Sequence, residues 1–310
     1  MRATIQTVFI LCLPILLLSA CGGGGGGGNS GSGAISLDPF VNWSSIDPPA
    51  KVYVDGVSQD ASYTAGADGL TSISDQGVST SSAAIIKYRE DNSIERIEIM
   101  TPTTVMVWDE GSGDIITETT EVTFASDPSD SDIAFIINPT EPNLNWDYQT
   151  FGVWVTGVDT DRGTVGAMSV GAPTTGSAIP LFGDATFTGI TSGLYVDATG
   201  TTSYFTASPL IMEADFFNRE LILTTTDTLK TNTETNVTTA ASILDMEGKL
   251  SYDRGVNFFT GPVETTDVAN TLAGTSTGKF YGPKAEELGG VFELTGEGLE
   301  SYLGGYGAKQ

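Results

Sequence analysis

Past its N-terminal apolar run this chain carries almost no helical period, and that fact limits the folds open to it more than any other. Its apolar residues come in short, alternating or β-branched runs set off by Gly, Asp, Asn and Pro. Such runs read as strands separated by turns. Ala84–Tyr88, Ile94–Ile99, Thr104–Trp108, Ile133–Ile137 and Phe151–Val155 are the clearest in the first half. Asp91-Asn92 sits between two of them as a hairpin turn. Along Ile94–Ile99 polar and apolar residues mix on both faces, as in a strand part-exposed on each side. Gly171–Ala178 is small, polar and marked by Pro and Gly, as expected of a linker between two domains. After it, Ala185–Gly189, Gly193–Val196, Leu210–Phe216, Glu220–Thr224, Ala241–Leu250, Asn257–Thr260, Gly278–Tyr281 and Gly290–Leu294 give about eight short antiparallel strands, enough for a small barrel or sandwich. A barrel of this size is filled by its own side chains, which places binding at the loop ends. Phe217-Asn218-Arg219 reads as a hairpin corner and Tyr302–Gly307 as the strand that closes the barrel. One helical turn is predicted from Pro283 to Leu288, with Pro at its start and Gly289 after its end.

Composition removes whole classes of chemistry. The 310 residues contain no histidine, so Ser-His-Asp and Cys-His catalysis and His-ligated metals are excluded. With 39 Asp+Glu against 13 Lys+Arg the formal net charge is −26, which excludes binding nucleic acid through its phosphates. Glu286 and Glu287 are the one adjacent carboxylate pair on the predicted turn, and neighbouring helical side chains diverge, so they read as solvated surface charges. Asp159-Thr160-Asp161-Arg162-Gly163 begins like a calcium loop, but its twelfth position is Val170 and not Glu. Asp127–Asp132 is an acidic loop in which calcium is the alternative to a plain turn. Ten tyrosines leave ferric iron or haem ligation chemically open, with no spacing that selects ligands. No catalytic or metal-ligating residue and no cofactor is therefore assigned, and the chain is not read as an enzyme. A carboxylate-only hydrolase would need a facing pair of acids that the sequence does not identify.

The N-terminus carries the most specific short motif. Arg2 precedes the apolar run Val8–Leu18, which is shorter than a membrane-spanning helix. Leu18-Ser19-Ala20-Cys21 then resembles the lipobox of bacterial lipoproteins. The resemblance implies that residues 1–20 are a signal peptide and that Cys21 becomes the acylated N-terminus, holding the protein to a lipid bilayer. Cys12 leaves with the signal, so no disulfide remains in the mature chain. Residues 21–37 read as a tether, seven glycines of it in a row from Gly22 to Gly28. The twelve residues from Gly22 to Gly33 give a coil reach of about 17–21 Å. Gly22 lacks the Asp that retains such lipoproteins at an inner membrane, which points to the outer membrane.

The C-terminal half resembles a known family. Gly278–Phe292, with its Lys279-Phe280-Tyr281-Gly282-Pro283 and Leu288-Gly289-Gly290-Val291-Phe292 segments, is similar to the closing signature of transferrin-binding-protein-B-like surface lipoproteins. Met212–Leu221 resembles that family's Asp-Phe hairpin, Ile179–Gly189 its opening barrel strand and Tyr148–Trp154 the segment before it in single-lobed members. The resemblance covers roughly residues 148–310. It implies an all-β protein: a β-rich handle domain over 38–172, then an eight-stranded antiparallel β-barrel over 173–310. Gly289 and Gly290 are expected to permit helix exit and tight packing, and Phe280 and Phe292 to lie in the core. It further implies an outer-membrane, cell-surface lipoprotein whose loops bind an extracellular protein or a nutrient carrier, iron and haem carriers included. An outer-membrane translocator is an implied second partner. This chain has one lobe where transferrin receptors have two, and no transferrin-contact motif maps onto its residues. The competing expectation is a structural envelope lipoprotein with no soluble ligand.

Overall fold

The computed structural model describes residues 42–67, 69–268 and 271–310. Cys21 and the tether lie outside the described residues. The described chain is almost entirely β, in two antiparallel sheets.

The first sheet is the handle. It contains β1 (Ala50–Gly66), β2 (Gly69–Tyr88), β3 (Ile94–Met100), β4 (Val105–Asp109), β5 (Ile115–Glu118), β6 (Val122–Ser126), β7 (Ile133–Ile137), β8 (Gln149–Val155) and β9 (Arg162–Gly171). Their order is β4-β3-β2-β1-β9-β8-β7-β6-β5, two meanders joined where β1 pairs with β9. The sheet curls until its two edges approach. No main-chain ladder closes it; instead the Glu118 carboxylate accepts the backbone N–H of Ile94 at 2.7 Å. Its concave side is a core of Val54, Ile97, Ile99, Trp108 and Trp154. In β3, Ile97 and Ile99 turn inward while Glu95, Arg96 and Glu98 remain half-exposed.

The second sheet is the barrel. β10 (Asp184–Val196), β11 (Ser203–Asp215), β12 (Glu220–Thr225), β13 (Leu229–Asn232), β14 (Thr238–Ala240), β15 (Met246–Ser251), β16 (Phe259–Thr265), β17 (Ala273–Tyr281), β18 (Glu287–Thr295) and β19 (Ser301–Lys309) follow one another around it. β11 pairs with β12 along its second half and with β13 along its first, so β12 and β13 are one wall strand interrupted at Asp227. β14 and β15 are likewise one strand, broken by a 3-10 turn at Ser242–Leu244 inside the predicted Ala241–Leu250 run. Eight wall strands result. β19 pairs with β10, and β10 with β11, so no edge is left. The interior is filled by large side chains, with Phe280 at a hub of rings: Phe259 at 5.2 Å, Tyr252 at 5.4 Å, Phe216 at 6.1 Å and Phe187 at 6.3 Å between centroids. Residues 172–183 run from the handle across one end of the barrel and bury Ile179 in its core.

Strand alternation on β18 and β19 decides how the domains meet. Leu288, Phe292, Leu294, Tyr302 and Tyr306 point into the barrel. The intervening Glu287, Val291, Glu293, Leu303 and Lys309 point out, toward the handle. Two glycines on that outer face let β8 and β9 lie close. A Cβ on Gly289 would fall 2.4 Å from Ser169 Oγ, and one on Gly307 would fall 2.2 Å from Gln149 Nε2. Val57, Phe151 and Val165 of the handle share a buried cluster with Val291, Leu303 and Phe205 of the barrel.

The turn predicted as helical is not a helix. Gly282 and Ala285 both take positive φ, 89° and 64°, which a right-handed helix cannot contain. The segment is a tight turn between β17 and β18. Glu287 therefore starts a strand and is fully buried, not a solvated surface charge. Gly289 serves close packing against the handle, not helix exit.

Candidate functional site

The antiparallel strands of both domains span between the same two ends of the molecule. The near end holds Asn42, the β7–β8 loop and the β11–β12, β15–β16 and β17–β18 turns. The far end holds the β1–β2 hairpin tip and the β6–β7, β8–β9, β10–β11, β13–β14 and β18–β19 turns.

At the far end, handle and barrel form one continuous surface. Leu70 N donates to Gly200 O at 2.8 Å, which seats the long β1–β2 hairpin on the β10–β11 turn. Leu299 N donates to Ala198 O at 3.0 Å, and Ala65 N to Asp161 O at 2.7 Å, so neighbouring turns lock together. Two of the barrel turns are each stiffened by a side chain folded onto its own backbone. Asp197 Oδ1 accepts from Thr199 N and Thr201 N; Asn232 Oδ1 accepts from Glu234 N and Thr235 N. This is the local bonding for which Asp and Asn are selected in turns.

The two acidic loops flagged in the sequence meet here. Asp127 Oδ1 accepts from Ser131 N at 2.7 Å and Asp132 N at 2.8 Å, Asp132 accepts from Gly157 N at 2.9 Å, and Asp159 accepts from Ser131 Oγ. These oxygens bond to main chain and hydroxyls as turn caps. No cluster of three acidic or thiol ligands with metal geometry occurs among the described residues.

A polar aromatic cluster sits at the rim. Tyr195 and Tyr204 lie 5.9 Å apart, and Lys230 Nζ lies 4.5 Å from the Tyr204 ring centroid. Tyr195 OH donates to Glu300 Oε1 at 2.6 Å. Burial, and then the Glu300 carboxylate, push the Tyr195 phenol up, so it stays protonated and amphipathic. At the same end Asp159, Asp161, Glu234 and Glu297 are exposed. The far end thus presents interlocked turns and mostly negative charge, with Tyr195 buried beneath them and Tyr204 half-buried.

Two buried carboxylates of β18 join the domains, Glu287 at the near end and Glu293 toward the far end. Glu287 accepts from Asp147 N at 2.6 Å and Tyr148 N at 2.9 Å, and Lys309 Nζ reaches Asp147 at 2.7 Å. Burial pushes Glu287 up to about 7 in spite of those two N–H donors. Glu293 receives Gln59 Nε2 at 2.6 Å, and Gln59 also donates to Asp75. Burial, and then the neighbouring Asp75, push Glu293 up to about 8. Sequence reasoning missed both. The signal was present in the alternation of β18, where every second residue from Glu287 faces outward, but only the handle's position makes outward mean buried.

The handle core opens at the near end in a cavity of about 310 Å³ between Trp43, Tyr88, Ile94 and Asn138–Thr140. Its one carboxylate, Glu118, is occupied in closing the sheet.

Residues 172–310 match the family model for the C-lobe and N-lobe β-barrels of transferrin-binding protein B. No characterised protein matches in a sequence search. Among solved structures, a mutant of transferrin-binding protein B from Haemophilus parasuis Hp5 is similar over 78% of this chain and 48% of its own, at 17% identity and TM-score 0.45. Transferrin-binding protein B from serogroup B Neisseria meningitidis is similar over 84% and 77%, at 13% identity and TM-score 0.37. A structure described as a surface lipoprotein is similar over 84% and 99%, at 14% identity and TM-score 0.36. This chain spans about half the length of the Haemophilus protein it matches.

Proposed function

We propose, for a chain whose C-terminal barrel belongs to the transferrin-binding-protein-B-like family, that it is a lipid-anchored surface protein that captures an extracellular protein at its far end. The family match over 172–310 carries this reading. Cys21 is the attachment point, the outer membrane the support, and the handle-and-barrel turns the contact surface. The partner class is a nutrient-carrying protein, transferrin-type carriers foremost, that meets the acidic rim with a basic patch. Electrostatic attraction of that kind speeds encounter and falls with salt. The protein acts by binding and positioning, not by catalysis. An outer-membrane translocator brings it to the surface.

Two measurements test this. External protease is applied to intact cells producing the wild type or Cys21→Ala. Digestion of the wild type before the envelope is broken is expected; protection would overturn surface display. The mature chain is then immobilised through Cys21 and challenged with transferrin and other carrier proteins at rising salt. Saturable binding that weakens with salt and with Asp161→Lys/Glu297→Lys is expected. Binding unaffected by far-end reversals would move the site elsewhere, and no binding by any carrier would remove the capture function.

A further inference from the structure

The near end differs in character from the far end, and the chain leaves from it. Asn42, the first described residue, lies beside Asp147, to which its Nδ2 donates at 3.2 Å, and Trp43 N donates to Asp147 O at 2.9 Å. Asp147 in turn meets Lys309 and Glu287, at the ends of β19 and β18. That same end of the barrel carries Phe182 and Phe217, stacked at 6.1 Å with 26° between planes and 72% and 62% exposed. Leu181, Val256 and Phe258 are exposed on the adjoining turns. Beneath the aromatic pair lies a cavity of about 290 Å³ whose only charged lining residues are Arg219 and Arg254. Neither arginine makes an ion pair among the described residues, although acids outnumber bases threefold in this chain. Asp215 of the same turn is folded onto Asn218, accepting from its N at 2.9 Å and its Nδ2 at 2.6 Å; Asp184 and Asp253 are exposed nearby.

We infer that this end is a bilayer-contact face: Phe182 and Phe217 enter the headgroup–acyl boundary of an anionic membrane, with Arg219 and Arg254 at the phosphates. The inference rests on the lipid-anchor reading of Cys21. Three observations select lipid as the occupant. Twenty residues separate Cys21 from Asn42, a span short enough that a body anchored at Cys21 stays close to the bilayer. The chain enters the body at the end that bears the aromatic pair, which turns that pair toward the anchor. Paired aromatics flanked by arginines match the chemistry of the membrane interface, where rings sit among headgroups and guanidinium groups meet phosphate. The acidic far end is repelled by the same surface, so insertion of the aromatic pair at one end and repulsion at the other set one orientation, partner face outward.

Cys21 is the only cysteine left once residues 1–20 are removed, so the mature chain can be coupled through it to a maleimide lipid. The vesicles contain phosphatidylethanolamine and phosphatidylglycerol with brominated acyl chains. Tryptophan is introduced at the near end, Phe217→Trp, or at the far end, Val237→Trp; the four native tryptophans are at most 5% exposed. Acyl-chain quenching at least about twofold greater for Phe217→Trp than for Val237→Trp is expected. The excess should shrink in Arg219→Gln/Arg254→Gln and in about 0.5 M salt, which screens headgroup attraction. Equal quenching at both ends, or none at Phe217→Trp, overturns the proposal. So does a near end that stays unquenched on vesicles but is covered by an added carrier protein. Chemical coupling supplies the anchor in this assay, so native acylation of Cys21 is read separately, by metabolic labelling with a clickable fatty acid.

Discussion

The barrel and the handle are both single antiparallel sheets rolled around an apolar core, yet only one is sealed by its backbone. In the barrel, β10 pairs with β11 along its whole length and with β19 from Thr188 to Val196. In the handle, β4 and β5 approach without pairing, and a Glu118 side chain bridges the gap to Ile94. Backbone closure leaves no main-chain donor seeking a partner; side-chain closure leaves two edges to open. The difference assigns roles. The barrel is sealed by its own ladder, and the handle buries Val57, Phe151 and Val165 against its outer face.

The hub of the barrel core gives the largest test of that contrast. Phe280→Ala is expected to cost about 3–5 kcal/mol, since it removes a ring that touches four others. Both domains should unfold in one transition, because the handle rests on the barrel. Separate transitions for handle and barrel in calorimetry would break the comparison. Ile97→Ala in β3 is expected to cost about 2–5 kcal/mol by the same cavity argument. Its effect should stay in the handle, as faster amide exchange in β2–β4 with β10 and β19 unchanged.

The contact between the domains comes next. Gly307→Leu places a side chain where Gln149 Nε2 stands 2.2 Å from the Cβ position. Overpacking of this kind costs about 1–3 kcal/mol. Small-angle scattering should show the handle displaced while the far-UV β signal is kept. An unchanged scattering curve would mean that the interface yields locally.

Glu293 and Glu287 sharpen the comparison through pH. Their folded values, about 8 and about 7, lie above the ordinary 4.5, so the folded state holds these protons more tightly than the unfolded chain does. Stability is therefore highest below about pH 4.5 as far as these two groups go, and is lost as pH rises through 7 and 8. Glu293→Gln imitates the protonated acid: its amide can donate to Asp75 and still accept from Gln59. After solvent screening it is expected to stabilise the protein at pH 8 by about 1–2 kcal/mol and to flatten urea midpoints between pH 5 and 8. A destabilised variant at pH 8 would show that Glu293 is held as the anion.

The smallest effect lies on the surface. Lys249→Ala, which removes the exposed Glu220–Lys249 pair at 2.8 Å on the barrel wall, should change stability by less than about 1 kcal/mol. A larger loss would mean that the wall depends on its surface charges as well as on its ladder.

Much of this architecture was legible in the residues. Alternation and turn chemistry mark the strands, as at Phe217-Asn218-Arg219 between β11 and β12 and at Asp91-Asn92 between β2 and β3. Pro283–Leu288 misled because Pro-before and Gly-after also describes a tight turn. Positive φ at Ala285, a residue with no intrinsic preference for it, comes from the packing around it. Glu286-Glu287 misled for a related reason: Glu286 belongs to the turn, where it accepts from Lys284 N at 2.7 Å, while Glu287 opens β18 on the face the handle covers.

The sequence by itself determined the all-β class, the absence of histidine chemistry and the acidity, because each depends on residue identity and short-range periodicity. The tertiary structure decided which sheet closes, which face of β18 and β19 is buried, and that Phe182, Phe217, Arg219 and Arg254 share the end from which the chain leaves. Those are matters of which distant segments meet, and local pattern does not encode the partner that a strand's second face will find.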